Sequence, residues 1–383
     1  MRGTIVTVIH KSSGDWRLPP NFTGYEQTRL DFTWDEVPEL CAGMPSGGCN
    51  IAYAAVDRHA AGSAATRTAL RFVTQSDQDR ALVTRDLSYA ELGHLTAQFT
   101  NVLRSLGIDK GDRVFTMMDR IPELYITILG ALRNGSVVCP LFSAFGPEPI
   151  ATRIDIGQAD VLVTTRAIYT RKIAKIRDRL TSVRYVIVVD ADDDDDETGT
   201  LNFWRRMSAA DNVAPIEPTT ADDPALLHFT SGTTGTPKGA IHVHGAMTMH
   251  YLTGSYALDL HPDDIFWCTA DPGWVTGMSY GVITPLLHGV TSIIDESEFD
   301  ADRWYRILQD QNVTVWYTAP TAIRMLIKAG PEAAQGYRFP QLRFVASVGE
   351  PLNPEAVWWG KRVLGLPIHD NWWQTETGGI MVA

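Results

Sequence analysis

Residues 230–239 read Thr-Ser-Gly-Thr-Thr-Gly-Thr-Pro-Lys-Gly, which places three glycines, five hydroxyl side chains and one lysine within ten positions. A segment of this kind has the chemistry to hold a chain of phosphates. Glycine lets the backbone approach an anion and leaves its N–H donors unobstructed, a role open to Gly232 and Gly235. Thr230, Ser231, Thr233 and Thr234 add neutral donors, and Lys238 supplies a compact positive charge for phosphate oxygens. The run Leu227-His228-Phe229 before it reads as a strand, so the loop leaves a strand end. It is not a Walker A loop, because Gly239 and not Ser or Thr follows the lysine, and it lacks the GxGxxG spacing of a dinucleotide site. A generic Gly/Thr-rich turn is the plain alternative, and the ordered density of donors argues against it.

Two further segments could complete a nucleotide site. Ser347-Val348-Gly349-Glu350-Pro351-Leu352-Asn353-Pro354 follows a strand-like run and leads toward a helix, a geometry suited to nucleotide contact. Asp370-Asn371-Trp372-Trp373-Gln374-Thr375-Glu376-Thr377-Gly378-Gly379 offers one carboxylate between two threonines. Magnesium bridging phosphates uses only one or two protein carboxylates, so a single glutamate is chemically sufficient. Outside that setting, Glu376 reads as a solvated surface residue. His242 and His244 alternate on a probable strand without a third ligand nearby, which favours packing or hydrogen bonding over a metal pair.

In order and separation these three segments resemble the core motifs of the adenylate-forming superfamily, which comprises acyl-CoA synthetases, peptide-synthetase adenylation domains and luciferases. The resemblance implies that Thr230, Ser231, Gly232, Thr233, Thr234, Gly235 and Lys238 hold the β- and γ-phosphates of ATP and release them as pyrophosphate. It implies that Gly349, Glu350 and Pro351 line the adenine pocket. Asp370, Asn371, Trp372, Trp373, Gln374 and Thr375 would border the adenosine and α-phosphate of ATP or AMP, and Glu376 would hold Mg²⁺. Lys238, Thr375 and Glu376 form the implied catalytic set.

The resemblance narrows to the acetate–CoA ligases, the AMP-forming acetyl-CoA synthetases, through Ala270-Asp271-Pro272-Gly273-Trp274-Val275-Thr276-Gly277. It implies an acyl pocket of Val275, Thr276, Val348 and Trp373, with the Trp373 indole as its end wall. An apolar pocket separates substrates differing by one methylene by only about 1–3 kcal/mol, so preference for acetate with some use of propionate is expected. Asn50 to His59 is similar to the opening segment of these ligases, and Tyr317-Thr318-Ala319-Pro320-Thr321-Ala322-Ile323-Arg324 is similar to a later one. CoA would pass Thr276 and Ala319, with Arg171 near its nucleotide; Ala144 stands where many acetate enzymes have glycine. The implied reaction joins acetate to AMP with loss of pyrophosphate, then passes the acetyl group to CoA. After residue 379 the sequence runs only to Ala383, short of the ribose-binding aspartate, hinge and lysine-bearing C-terminal domain of such enzymes. Weak activity of this chain alone is therefore expected. A propionate or other short-chain ligase, and a non-catalytic nucleotide-binding module, are the alternatives.

These segments need elements to position them. Ser88 with Glu91 makes a capping box, and Leu92, Leu95, Phe99, Val102 and Leu106 then recur at helical spacing. Strand-like runs at 113–118, 136–142, 161–165 and 185–190 follow, with a helix at 124–133 and a basic helix before the last. Further strands are expected at 226–229, 264–269, 291–294, 314–318 and 342–348. The alternation predicts an α/β protein with two doubly wound βα subdomains. By resemblance, the later β-barrel part and the C-terminal domain are largely absent. Residues 1–80 read as an N-terminal extension and 81–383 as the AMP-binding domain. The acidic run 190–197 reads as a solvated loop, and Trp358 and Trp359 as core aromatics.

Thirty-three basic and 45 acidic side chains give 33 − 45 = −12, which disfavours nucleic acid or an anionic membrane as partner. Cys41, Cys49, Cys139 and Cys268 form no CxxC pair and read as scattered reduced thiols. No stretch approaches the roughly 18 apolar residues of a membrane helix. The N-terminal apolar run is too short for a signal-peptide core. A cytoplasmic location and small-molecule partners follow, and oligomeric state has no sequence signal.

Overall fold

The computed structural model describes residues 8–10, 14, 16–34, 37, 39–76, 78–195, 199–230 and 235–383. Fourteen strands run along them in chain order. They are β1 (Thr68–Gln75), β2 (Leu82–Ser88), β3 (Arg113–Met117), β4 (Val137–Pro140), β5 (Val161–Thr164), β6 (Tyr185–Val188) and β7 (Thr200–Asn202). Then come β8 (Pro224–Thr230), β9 (Lys238–Val243), β10 (Ile265–Cys268), β11 (Thr291–Asp295), β12 (Val315–Thr318), β13 (Phe344–Ser347) and β14 (His369–Asp370).

Among the described residues they form two seven-stranded sheets, ordered β7-β6-β5-β3-β4-β8-β9 and β14-β13-β12-β10-β11-β1-β2. Neighbouring strands are parallel except at one edge of each sheet, where β9 runs against β8 and β2 against β1. Strands β4, β5 and β12 are buried at every position, as expected for parallel strands covered on both faces. The βα units of the two sheets repeat one order: β3 to β7 and β10 to β14 are both laid down as 2-1-3-4-5. Each sheet thus has a topological switch point at its carboxyl end, between β3 and β5 and between β10 and β12. The expected pair of doubly wound units is present.

Local chemistry accounts for several boundaries. The helix Tyr89–Ser105 opens on the expected box: Ser88 Oγ accepts from Glu91 N at 3.2 Å, and Ser88 N donates to the Glu91 carboxylate at 2.8 Å. The basic segment between β5 and β6 is not one α-helix. It splits into an α-turn, a π-helical turn (Tyr169–Ile173) and a 3₁₀ stretch (Ala174–Arg179). β1, within the segment read as an extension, pairs with β11 in the heart of the second sheet. The acidic run is tied down where it is described, by ion pairs of Arg166 with Asp192, Arg205 with Asp193 and Arg206 with Asp194. Arg120, just past β3, staples the two sheets together by donating to Asp295 O at 2.7 Å and Ser297 O at 2.8 Å. Trp359 is buried in the core of the second sheet and Trp358 is half-buried.

Candidate active site

The carboxyl ends of β4 and β8 lie side by side. Above them a cleft is walled by Leu141 and Phe145 after β4, and by His228, Phe229 and Thr230 of β8. Pro140 at the end of β4, Arg153 of the helix Pro147–Gly157, Gly273, Trp274 and Val275 after β10, and Thr375 after β14 complete it. Both sheets therefore contribute their carboxyl ends to one site. A separate cavity beneath Arg120, at the ends of β10 and β11, is lined by Ala270 and Pro272 of the 270–277 motif but by none of the expected nucleotide, acyl or CoA residues.

The segment expected to hold phosphates joins the two strands of a hairpin, β8 and β9. Thr230 and Lys238 are cross-strand partners where β8 and β9 meet, so both face the same loop mouth. Ser231, Gly232, Thr233 and Thr234 lie outside the described residues; Gly235 has φ +85°. Lys238 is exposed and makes no ion pair with a described carboxylate. That leaves its charge available to an anionic ligand.

The segment after β14 is pinned from below by side chains that have no motif of their own. His242 Nε2 donates to Thr375 O at 2.7 Å, and His250 Nε2 donates to Gly378 O at 2.8 Å. Tyr280 OH accepts from Ile380 N at 2.8 Å, and Tyr317 OH donates to Asn371 Oδ1 at 3.0 Å. Asp370 accepts from Ser347 Oγ at 2.9 Å and from Leu352 N at 3.1 Å, joining the two nucleotide segments. Burial holds the His250 imidazole down to about 4 and lowers His242 as well, so both rings are neutral with the proton on Nε2. His244 accepts from Ile51 N through Nδ1 at 3.1 Å. His242 lies on β9 and His244 opens the turn just after it, so the two do not share one strand, and each serves hydrogen bonding. Glu376, beside Thr375, is exposed and makes no ion pair with a described residue. A lone free carboxylate next to the phosphate hairpin fits the donor set of a phosphate-bridging Mg²⁺.

The two adjacent tryptophans diverge. Trp372 is 54% exposed while Trp373 is 8% exposed, edge-on to Tyr280 at a ring separation of 5.2 Å. Trp373 shares one apolar cluster with Val348 and Tyr317, and Val275 packs against it from the cleft side. Thr276 follows at the start of the π-helical turn Gly277–Ile283. That turn is possible only with glycine at 277, where a Cβ would lie 2.0 Å from Asp271 O. The motif 270–277 is therefore a sharp reversal that brings Val275 to the cluster, whereas Thr276 is not among the residues that line the cleft.

Other expected residues stand apart. Glu350 is exposed, and hydrogen bonds from Thr321 and Arg324 hold its carboxylate below the usual range. Gly349 (φ +97°) and Pro351 lie in the loop between β13 and the helix Pro354–Val363. Gln374 is exposed. Ala319 caps the helix Pro320–Lys328 at the β10/β12 switch point, where Thr269 and Thr318 hydroxyls meet at 2.7 Å. Arg171 is exposed and donates to Ala167 O of its own turn at 3.1 Å, whereas Lys172 reaches Ser143 O at 2.6 Å. His250, Tyr280 and Tyr317 were not singled out as site residues from sequence, because a buried histidine or tyrosine carries no local spacing signal.

Comparison with known proteins agrees with this fold. The chain is 41% identical over 365 residues to the acetyl-coenzyme A synthetase of Bacillus subtilis, covering 94% of this chain and 62% of that protein. It is 39% identical to the acetyl-coenzyme A synthetase of Methanothrix thermoacetophila, covering 93% and 59% respectively. The crystal structure of a Brucella canis acyl-CoA synthetase superposes with a TM-score of 0.81 at 36% identity, over 92% of this chain and 62% of that one. The chain thus spans about three fifths of the length of these relatives. The AMP-binding enzyme family model matches residues 57–383, a stretch holding every wall of the cleft, and the chain belongs to that family.

Proposed function

We propose that this chain carries the adenylating centre of an AMP-forming acetate–CoA ligase. The observation that carries the reading is one cleft that brings Thr230, the strand partner of Lys238, together with Val275, which packs against the Trp373 cluster. In this reading the chain binds ATP, positions its β- and γ-phosphates with Thr230, Ser231, Gly232, Thr233, Thr234, Gly235 and Lys238, and directs acetate at the α-phosphorus. Thr375 lines the α-phosphate, and Glu376 would hold Mg²⁺, which supplies charge neutralisation across the phosphates. Gly349, Glu350, Pro351 and residues 370–374 border the nucleoside. Val275, Thr276, Val348 and Trp373 limit the acid to two carbons with some tolerance of three. CoA then approaches past Thr276 and Ala319, with Arg171 toward its nucleotide, and its thiol displaces AMP. Assistance consists of positioning and electrostatic stabilisation, so no covalent enzyme intermediate is required. Residues 81–383 supply this centre and 1–80 an extension, acting on small molecules in the cytoplasm.

The test is acetate-dependent ATP–pyrophosphate exchange in a chain extended to the length of its relatives, with propionate and butyrate in parallel. Acetate should support the fastest exchange and butyrate little, and Lys238→Ala should abolish most of it. Exchange that is equally fast with butyrate would remove the acetate reading. Tight binding of Mg·ATP without acid-dependent exchange would remove the ligase and leave a nucleotide-binding module.

A further inference from the structure

Cys41 and Cys49 precede the residues matched by the family model and touch no wall of the cleft. Two tight turns fold the chain between them: Met44 N donates to Cys41 O at 3.0 Å and Gly47 N to Met44 O at 2.9 Å. Gly48 is required here, since a Cβ would lie 2.3 Å from Thr219 O. The same carbonyl accepts from Cys49 N at 2.7 Å, which anchors the returning strand of the turn. The fold thereby returns Cys49 beside Cys41, whose sulfur lies against the backbone N–H that follows Cys49. Cys41 Sγ accepts from Asn50 N at 3.3 Å. Both cysteines are half-buried at the foot of an exposed loop, 45–48. Cys139, by contrast, is sealed in the core of the first sheet.

We propose that Cys41 and Cys49 form an oxidisable dithiol, a modification site at which a hydroperoxide converts the two thiols into one disulfide. Cys41 is the attacking sulfur. Contact with the Cys49 thiol, the hydrogen bond from Asn50 N and the positive charge of Arg58 nearby push its thiol down, while the same contact pushes the Cys49 thiol up. The Cys41 thiolate attacks the terminal peroxide oxygen; the O–O bond breaks, and the departing alkoxide takes a proton and leaves as alcohol, or as water from hydrogen peroxide. Cys41 is then a sulfenic acid. The Cys49 sulfur attacks the Cys41 sulfur, the S–O bond breaks, and the hydroxyl leaves as water with the Cys49 proton. Two electrons pass from the thiols to the peroxide, and a dithiol reductant reverses the change.

The chain is exposed, folded, to stoichiometric hydrogen peroxide; free thiols are then blocked with iodoacetamide under denaturing conditions and peptides are mapped by mass spectrometry. A Cys41–Cys49 link, lost after dithiothreitol, with Cys139 and Cys268 alkylated, is the expected result. In Cys49→Ser, Cys41 should accumulate as a sulfenic acid that dimedone traps. Recovery of Cys41 and Cys49 as alkylated thiols would overturn the proposal. So would a link to any other cysteine or between chains, and the wild-type map decides this even where the variant fails to fold.

Discussion

Replacing His242 by leucine tests whether the buried imidazoles position the nucleotide segment or only fill space. The substitution keeps an apolar side chain of comparable bulk but leaves the Thr375 carbonyl, now 2.7 Å from Nε2, without its donor. An orphaned buried acceptor costs about 1–3 kcal/mol. If the Thr375–Gly378 turn relaxes to recover a partner, Thr375 and Glu376 shift away from the phosphate hairpin. The cost then falls on the ligand-bound geometry, and Mg·ATP affinity drops by roughly 5- to 150-fold for the same 1–3 kcal/mol. His242→Gln restores an N–H near the Nε2 position and should recover part of the affinity. Isothermal calorimetry with Mg·ATP is run well below each variant's thermal midpoint, so that loss of folded protein cannot imitate loss of binding. A leucine variant that is less stable yet binds Mg·ATP as tightly as the parent would refute the reasoning.

Two further outcomes concern the scaffold. The fully buried His244 and His250 have folded-state values of about 4 against 6.5 unfolded, so the unfolded chain binds more protons between those limits. Stability should therefore be full above pH 6.5 and fall as pH drops toward about 4, by up to ~1.4 kcal/mol per pH unit for each imidazole. Urea midpoints measured across that window would show it, and a midpoint that stayed level would contradict the burial argument. Arg343 is paired with Asp259 at 2.6 Å and also with Asp264, which is 3% exposed. Arg343→Leu strands two buried carboxylates and should cost about 3–5 kcal/mol in chemical denaturation; a loss under 1 kcal/mol, the scale of an exposed pair, would show that these carboxylates are solvated.

The sequence made the βα units legible wherever a strand is buried on both faces, because such strands are short continuous apolar runs: β4, β5 and β12 stand out for that reason. β1 and β2 escaped because β2 is exposed over most of its length and β1 carries Arg71 and Thr74 among its apolar residues. The partner that recruits β1 into a sheet, β11, is more than two hundred residues away, and no local pattern reports such a pairing. The nucleotide segments were legible for the opposite reason. Their glycines, hydroxyl residues and lone charges depart from anything a core requires, which is what the proposed approach to an anion would demand. What holds those segments is ordinary core chemistry. Tyr280 and Tyr317 look like any buried aromatic until Ile380 N and Asn371 are seen at their hydroxyls. The cysteines show the same limit: Cys41 and Cys49 read as scattered singles, and only the turns between them reveal a pair.

If residues 230–239 hold phosphates as proposed, the antiparallel pairing of β8 and β9 bears on why the segment is so rich in donors. A Walker A loop runs into a helix, whose N-terminal N–H groups and dipole supply much of the positive potential. Here the chain returns instead as β9, antiparallel to β8, and a sheet edge carries little net dipole. On the proposed reading the positive field would come from Lys238 and from Arg153, which lines the cleft with Thr230, and the hydroxyl-rich sequence would add neutral donors. Lys238 occupies the first position of β9, opposite Thr230, so its backbone is fixed by a ladder while its side chain is free to reach across the mouth. The lysine of a P-loop shares its task with a helix. On the proposed reading this one leads into a strand instead, and the five hydroxyl side chains between 230 and 236 would be the substitute.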